Sequence, residues 1–354
     1  MVQANDFRRQ WEDLREDALA AFESVGAGGW YILGEEVRAF ERELASLWGF
    51  PHAAGVASGL DAIEISLRAL GCGPGDRVLT TPISAFATTL AIVKIGAVPV
   101  FVDTDANGLM DLERCKEVRD VRFCVPVHLY GFPLDPSALR QLRDERELLI
   151  VEDCAQATHT KWVTAGQIAA TSFYPTKNLG AMGDGGAILS RDAEFDARVR
   201  ALRDYGQTAK YRHDFIGYNS RLDELHAAFL RRAGLPRLER WTSRRREIAA
   251  AYLKGIRNPG VRLPMLPEGV EPSWHLFPVW IPPERREAFA RHLKLGIHYP
   301  VAIPDQEAMI GVPFEAPGGF ENARRLCASE ASLPVHPYLR DDEVAEVISA
   351  VNAF

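Results

Sequence analysis

The chain has 354 residues, of which 47% are hydrophobic and 25% are charged, and its formal net charge at pH 7 is −7. This length and balance predict a globular protein with one large and one smaller domain. The acidic charge excludes a general basic surface for nucleic acid, and no apolar run approaches the roughly 18 residues of a membrane span.

The cysteines predict a reducing, cytoplasmic environment. All five are scattered, and none is spaced as CxxC. We therefore expect neither a disulfide framework nor a bound metal. The first residues, MVQANDFRRQWEDL, lack the apolar core of a signal peptide.

The amino-terminal half begins with helical patterns. Phe7, Trp11, Leu14, Ala18 and Phe22 recur at spacings of three and four, which predicts an amphipathic helix. Apolar residues between positions 37 and 47 predict a second helix. A glycine-rich connection, GAGGWYILG, separates the two.

Extended runs then alternate with helical patterns. The runs are HAAGVAS, RVLTTP, VPVFVD, RFCVPVHLYG, ELLIVED, IAATSFY and GGAILS. They are nearly continuous in apolar residues, which is typical of strands that are covered on both faces. The alternation predicts an α/β fold with a mostly parallel central sheet flanked by helices.

A long helical region is predicted from about 194 to 255, with a charged break around 204–218. It carries a basic run, which we interpret as a solvated helix face and not as an anion site: Arg237, Arg240, Arg244, Arg245 and Arg246. Beyond residue 256 proline becomes frequent, and the strand HLFPVWI alternates with the helices PERREAFARHLK and DDEVAEVISAVNAF. This change predicts a large domain over 1–240 and a smaller C-terminal α+β domain over 241–354.

Three groups with chemical potential follow predicted strands: Ser58-Gly59, Asp153 and Lys177. Because ligands of an open parallel sheet bind outside the carboxyl ends of its strands, we expect these groups to meet in one crevice. Each also has an ordinary structural explanation. Ser58 is a good helix N-cap, Asp153 suits a turn, and a lone loop lysine is usually solvated.

Together the three groups predict a site for pyridoxal phosphate. This cofactor needs a lysine that forms a Schiff base, a carboxylate for its pyridine nitrogen and an anion site for its phosphate. A helix N-terminus with a serine hydroxyl suits the phosphate. The stretch around SFYPTK is apolar, and a desolvated site lowers the pKa of an amine, as a nucleophilic lysine requires.

Longer segments resemble the nucleotide-sugar aminotransferases called the DegT family. They are VEDCAQA, SFYPTKNLGAMGDGGAI and IGYNSRLDELHAA, flanked by YILGEEVRAFERELA, GDRVLTTP, PVHLYG and HYPVAIPDQ. The resemblance covers about residues 28 to 340. It implies the PLP fold type I, with pyridoxal phosphate as the cofactor and pyridoxamine phosphate as an intermediate.

The resemblance also implies roles for single residues around the cofactor ring and the sugar. Lys177 matches the lysine that forms the Schiff base and moves the proton, and Asp153 matches the partner of the pyridinium. Gln156 matches a residue on the ring-hydroxyl side. Residues near the hexose are matched by Tyr174, His298 and Tyr299.

A phosphate cradle is implied for Ser172 together with the backbone of Ser58, Gly59 and Leu60. Asn219, in GYNSRLDE, matches a residue that reaches the phosphate from the neighbouring subunit. The resemblance therefore implies a homodimer with shared active sites.

The chain departs from the family pattern at several positions. Ala85 stands where an aromatic residue often stacks on the cofactor, and the adjacent Phe86 is expected to point elsewhere. Leu60 replaces a frequent threonine, so we expect only backbone contacts there. His159 is displaced by one position from a common histidine, and we assign it no role. His226 replaces a frequent glutamine.

The resemblance implies amino transfer from an amino acid, glutamate, to the keto group of a nucleotide-linked deoxysugar, with a 3-keto-6-deoxyhexose favoured over a 4-keto sugar. One alternative is a PLP-dependent sugar dehydratase or other elimination enzyme. Dehydratases of this family have histidine in place of the lysine, so Lys177 argues against it. Another is a non-catalytic regulatory protein, against which the retained Lys177, Asp153 and Gln156 argue. We expect no binding to nucleic acid or membranes.

Overall fold

The computed structural model describes residues 2–158, 165 and 167–354. Its helices are α1 (Phe7–Gly28), α2 (Glu35–Trp48), α3 (Gly59–Ala69), α4 (Phe86–Lys94), α5 (Leu112–Cys115), α6 (Pro136–Arg146), α7 (Ala193–Arg203), α8 (Glu224–Phe229), α9 (Leu238–Gly255), α10 (Pro283–Leu293), α11 (Glu321–Ser329) and α12 (Asp341–Ala353). Its strands are β1 (His52–Val56), β2 (Arg77–Thr80), β3 (Val98–Phe101), β4 (Phe123–Val125), β5 (Leu149–Asp153), β6 (Ile168–Ser172), β7 (Gly186–Ser190), β8 (Gln207–Ala209), β9 (Arg212–His213), β10 (Phe277–Trp280) and β11 (Glu330–Leu333).

A seven-stranded sheet in the order β1-β7-β6-β5-β4-β2-β3 forms the centre of the fold. All neighbouring pairs are parallel except those that β7 makes with β1 and β6. β1 therefore runs in the same direction as β6, and the carboxyl ends of β1, β5 and β6 lie at one edge. The expected α/β fold with a mostly parallel sheet is confirmed.

The burial of the strand residues shows that the sheet is covered on both faces. Every residue of β6 and β7 is buried, including Thr171 and Ser190. Two separate apolar clusters pack around these strands, one with Phe40 and Phe173 and the other with Ile63. This burial on both sides accounts for the nearly continuous apolar runs in the sequence.

Local capping determines where several helices begin. The Asp6 carboxylate accepts hydrogen bonds from two amides of α1, and Ser58 caps α3 by accepting from the Asp61 amide at 3.1 Å. At α6, Asp135 is the cap and Pro136 occupies the first turn. Such oxygen caps satisfy amides that have no partner within the helix.

The C-terminal part contains the antiparallel pair β10–β11 with α10, α11 and α12. The division between 240 and 241 falls inside α9, and it remains a prediction. One large apolar cluster joins residues from both sides of this position, for example Leu79, Tyr252 and Phe277.

Three parts of the chain differ from expectation. The run RFCVPVHLYG forms a strand only over Phe123–Val125, after which it enters a turn where Tyr130 has φ 62°. The charged break around 204–218 contains the β8–β9 hairpin. The pattern also gave no indication of α11 or β11.

Within the described part of the chain, no helix has the length and apolar character of a membrane span. No cluster of three His, Cys, Asp or Glu residues suitable for a metal is found there either. All five cysteines are buried and free.

Candidate active site

A cavity of about 600 Å³ opens at the edge of the sheet where β1, β5 and β6 end. Nine of the residues proposed from the sequence line it: Ser58, Gly59, Leu60, Asp153, Ser172, Tyr174, Lys177, His298 and Tyr299. The fold therefore brings together residues that are up to 241 positions apart, as the expected position at the strand ends requires.

Lys177 lies in the connection between β6 and β7. Its amide donates to the Tyr174 carbonyl at 2.8 Å, which closes a tight turn. Burial lowers the pKa of the Lys177 amine to about 8, although the Asp153 carboxylate opposes the shift. A substantial fraction of the amine is therefore uncharged slightly above neutral pH.

The Asp153 carboxylate is held in place from two sides. Its Oδ2 accepts from the Thr88 hydroxyl at 2.7 Å, and its Oδ1 accepts from the Ala155 amide at 3.1 Å. The Ser84 hydroxyl lies 2.9 Å from that of Thr88 and extends the network. Sequence reasoning missed Thr88, although it stands about one helical turn after Ala85, where the family often has an aromatic residue.

Ala85 and Ala87 line the cavity, whereas Phe86 packs against the cluster of Phe101 and Ile303. This agrees with the expectation that Phe86 points elsewhere. The wall at this position therefore consists of small side chains.

The anion cradle is formed by the start of α3 and the end of β6. A Cβ on Gly59 would lie 2.7 Å from the Ser172 Cβ, and one on Gly186 would lie 2.5 Å from the Ser58 carbonyl. Glycine is therefore required at both positions. Ser58, Gly59 and Leu60 at the start of α3 line the cavity, and the first amides of a helix, which lack partners within the helix, suit a bound anion.

Two proposed residues do not line the cavity. The Gln156 side chain accepts from the Tyr130 amide at 2.6 Å and donates to the Tyr299 hydroxyl at 3.1 Å. It thus supports Tyr299, and its own contact with a cofactor stays a prediction. Asn219 is exposed at the surface.

The segment with Asn219 contacts α3, and of two positions at which the chain departs from the family pattern, His226 and His159, only His226 is described by the structure. Ser220, next to Asn219, donates to the Asp61 carboxylate at 2.6 Å and so attaches this segment to α3. His226 lies 2.8 Å from the Asp223 carboxylate at the start of α8, and this contact raises the pKa of the imidazole. His159 lies outside the described residues.

The interpretation of the arginine run as a solvated face is wrong for Arg245. This side chain is buried, lines the cavity and donates from Nη1 to the Trp274, His275 and Val335 carbonyls at 3.2–3.4 Å. Burial lowers its pKa to about 10. The run contained a signal that was overlooked, because Trp241, Arg245, Ile248 and Tyr252 recur on one buried helix face.

The other arginines of the run, by contrast, meet acidic side chains closer to the surface. Arg237 and Arg240 pair with Asp13, and Arg244 pairs with Asp341. Of these three, Arg240 is exposed, as the predicted solvated helix face requires, whereas Arg237 and Arg244 are half-buried.

The residues of the cavity fit pyridoxal phosphate. The cavity joins an amine of lowered pKa, a fixed carboxylate and a helix N-terminus whose glycine leaves room for a close approach. Groups of these three kinds suit the aldehyde, the ring nitrogen and the phosphate of this cofactor.

Comparisons with known proteins agree with this geometry. Residues 12–352 match the model of the DegT/DnrJ/EryC1/StrS aminotransferase family. A dTDP-3-amino-3,4,6-trideoxy-alpha-D-glucose transaminase of Streptomyces venezuelae is 42% identical, with 98% of this chain and 94% of that protein covered.

Solved structures are similar over nearly the whole chain. The X-ray structure of S. venezuelae DesV in complex with a ketimine intermediate superposes with a TM-score of 0.95 at 40% identity, covering 99% of this chain and 98% of that one. NtdA from Bacillus subtilis with bound cofactor PMP has a TM-score of 0.88 at 27% identity, covering 96% and 81%. The chain therefore belongs to the DegT/DnrJ/EryC1/StrS aminotransferase family and is a pyridoxal phosphate-dependent transaminase.

Proposed function

We propose that this chain transfers an amino group from glutamate to the keto group of a nucleotide-linked deoxysugar, at C3 of a 6-deoxyhexose. The observation that carries the amino transfer is the presence in one cavity of the Lys177 amine, with its pKa near 8, and the fixed Asp153 carboxylate. The sugar acceptor is supported by the 42% identical relative, which is a transaminase of a dTDP-linked 3-amino sugar.

Pyridoxal phosphate, when bound, supplies an aldehyde that takes up an amine and a ring that withdraws electrons from the neighbouring carbon. Asp153 would hold the ring nitrogen, because Thr88 and the Ala155 amide fix its two oxygens. Ser172 and the start of α3 would hold the phosphate. Lys177 Nζ would remove a proton from the substrate and return it, and a pKa near 8 suits both transfers at neutral pH.

An acidic amino donor is supported by the charge of the cavity wall. Arg245 has no carboxylate partner within residues 2–158, 165 and 167–354, and its Nε has no hydrogen-bond partner there. The Nδ1 atoms of His275 and His336, which also line the cavity, are similarly without partners. A buried cation of this kind is stabilised by an anionic ligand, and glutamate offers a side-chain carboxylate in addition to the α-carboxylate that every amino donor carries.

A homodimer with shared active sites is supported by the surface. Asn219 is exposed outside the cavity of its own chain, and large apolar side chains are exposed elsewhere on the surface. Trp30 and Tyr31 lie between α1 and α2, and Tyr211 and Ile216 lie in and after the β8–β9 hairpin. Exposed apolar groups of this size are typical of protein interfaces. The free, buried cysteines support the proposed cytoplasmic location.

The decisive experiment combines the purified enzyme and pyridoxal phosphate with nucleotide-linked 3-keto and 4-keto deoxysugars. Glutamate, glutamine and alanine are supplied in turn as amino donors, and products are identified by mass spectrometry and NMR. We expect a 3-amino sugar, with glutamate as the preferred donor. The Lys177→Ala variant should lose about 10³-fold in rate, because a positioned side chain that transfers the proton contributes roughly 10²–10⁴-fold.

Each other outcome has a defined meaning. A 4-amino product would contradict the assignment to C3, and equal use of alanine would contradict the acidic donor. A deoxygenated sugar without consumption of the amino donor would indicate elimination. A protein with no cofactor absorbance, and the same spectrum after Lys177→Ala, would indicate a non-catalytic scaffold.

A further inference from the structure

Glu330 is a buried carboxyl group beside the cavity that the proposed chemistry does not use. It is the first residue of β11, its relative exposure is 1%, and Trp280 of β10 lies opposite it. Within the described part of the chain no lysine or arginine forms an ion pair with it, and its carboxyl oxygens accept hydrogen bonds from the His298 amide and the Ser332 hydroxyl. Buried carboxyl groups without a cationic partner are rare, so this one requires an explanation.

Glu330, Ser332 and His298 form a hydrogen-bonded relay that ends at the cavity. The Glu330 Oε2 accepts from the His298 amide at 2.6 Å, and Oε1 accepts from the Ser332 hydroxyl at 2.6 Å. The Ser332 Oγ lies 2.9 Å from the His298 Nδ1. Because His298 and Ser332 both line the cavity, Nε2 is the ring nitrogen left for a ligand.

The donor and acceptor roles along this relay depend on whether Glu330 carries a proton. An ionised carboxylate only accepts, so Ser332 donates to it and accepts from Nδ1–H, which leaves Nε2 as an acceptor. A protonated Glu330 donates from Oε1 to the Ser332 oxygen, so Ser332 donates to Nδ1 and the ring hydrogen is on Nε2. The amide of His298 donates to Oε2 in both states.

We propose that Glu330, acting through Ser332, sets which nitrogen of His298 carries the hydrogen, and so whether His298 offers the substrate an acceptor or a donor. Glu330 is then a positioning residue, since it acts only through the imidazole. That the group facing Nε2 is a sugar hydroxyl rests on the proposed function. The tautomer of the His298 ring is a property of the protein itself.

The surroundings keep both groups in the states that this relay needs. Burial raises the pKa of Glu330 to about 8, against the hydrogen bonds from Ser332 and the His298 amide and the positive charge of Arg286 on α10. Burial, together with the Lys177 ammonium, lowers the pKa of His298, so its ring is neutral at physiological pH. A neutral ring has two tautomers, and the relay selects between them.

Other titratable groups also face the two ends of the relay. Cys327 of α11, Tyr130 and Tyr299 lie within electrostatic range of Glu330, and burial raises the pKa of all three above the ordinary value. They therefore stay neutral near pH 8. His275 lies within range of His298, and its own pKa is lowered by burial, so it does not add a charge either.

The test is to follow the His298 ring by long-range ¹H–¹⁵N NMR in the cofactor-loaded enzyme labelled with ¹⁵N-histidine. Its signals are assigned by their loss in His298→Gln. Between pH 6.5 and 9.5 we expect the wild type to change from the Nε2–H to the Nδ1–H tautomer with a midpoint near pH 8. E330Q should remain Nε2–H throughout, because its amide donates to Ser332 at every pH.

Two further variants make the result specific. Ser332→Ala interrupts the hydrogen-bonded relay and should abolish the change of tautomer near pH 8. This variant tests the proposal if E330Q does not fold. Glu287→Gln, the same chemical change on the exposed face of α10, should behave as the wild type. A single wild-type tautomer across the range, or a change that persists in Ser332→Ala or E330Q, would overturn the proposal.

Stability gives a second readout of the Glu330 proton. The unfolded chain ionises this group near its ordinary pKa of 4.5, whereas the folded chain keeps the proton up to about pH 8. The wild type should therefore lose stability relative to E330Q as the pH rises from about 4.5 to about 8, and the difference should then level off. Neither readout needs a sugar, so a relay in an enzyme that forms no amino sugar would refute only the proposed function.

Discussion

Two adjacent threonines in α4 have opposite surroundings although both are buried. The Thr88 hydroxyl donates to the Asp153 carboxylate at 2.7 Å and lies 2.9 Å from the Ser84 hydroxyl. The Thr89 hydroxyl has no hydrogen-bond partner in the described structure. The orientation of the Asp153 carboxylate, which is proposed to bind the cofactor ring, therefore depends on Thr88 and not on Thr89.

Thr88→Val should therefore weaken the cofactor site, whereas Thr89→Val is the matched control. A hydrogen bond to a charged group contributes about 1.5–3 kcal/mol, so we expect the affinity for pyridoxal phosphate to fall roughly tenfold or more in Thr88→Val. Thr89→Val removes an unpartnered hydroxyl and should leave affinity unchanged and stability equal or slightly higher. Titration of cofactor absorbance and thermal melts measure both. Equal affinities for the two variants would contradict the role of Thr88.

The contact between α3 and the end of β6 illustrates what glycine does at the scale of an element. Gly59 begins α3 against Ser172, and Gly186 begins β7 against the Ser58 carbonyl. The absence of side chains lets the helix terminus approach the sheet closely. That approach forms the proposed phosphate cradle.

Gly59→Ala should disturb this contact, because its Cβ would lie 2.7 Å from the Ser172 Cβ. Overpacking of this kind typically costs about 1–3 kcal/mol, and we expect the affinity for pyridoxal phosphate to fall as well. Gly26→Ala in α1 is the control, because nothing lies within 4 Å of its Cβ and alanine favours the helix by up to about 1 kcal/mol. Urea unfolding should show opposite effects of the two variants on stability. Cofactor titration should show the loss of affinity in Gly59→Ala. A Gly59→Ala protein as stable as the wild type would contradict the close contact.

For the whole molecule, the position of Asn219 makes the proposed dimer testable. Lys177 and Asp153 line one cavity in the same chain, whereas Asn219 is exposed outside it. A shared site would combine Lys177 of one subunit with Asn219 of the other.

Mixing inactive Lys177→Ala with an inactive Asn219→Ala variant should then restore activity. In each heterodimer one site has both residues intact, so we expect up to about half of the wild-type activity per heterodimer. Mixing Lys177→Ala with Asp153→Ala is the control and should restore none, because these residues belong to one chain's cavity. Heterodimers are quantified by native mass spectrometry. Their formation without recovered activity in the first mixture would contradict the action of Asn219 across the interface.

The parts of the site that could be predicted from the sequence follow strands or carry a recognisable motif. Ser58, Asp153 and Lys177 each stand just beyond an apolar run, and parallel strands bring such positions to one edge whatever the details of packing. The order of helices and strands along the chain of the large domain follows from the same local patterns. Together Ser58, Asp153 and Lys177 predicted the cofactor, and the resemblance of SFYPTKNLGAMGDGG added the family.

Which of the remaining polar groups reach the cavity depends on how distant segments of the chain pack together. Arg245 stands among similar arginines, and its burial depends on the rotation of α9 against β10, β11 and their connections. Glu330 becomes significant because β11 places it beside the loop with His298, 32 residues away. The α/β class and the positions of Lys177 and Asp153 just beyond strands could be predicted from the sequence, because periodicity and strand ends are local. The relay and the buried cation depend on contacts between distant segments, which no local pattern encodes.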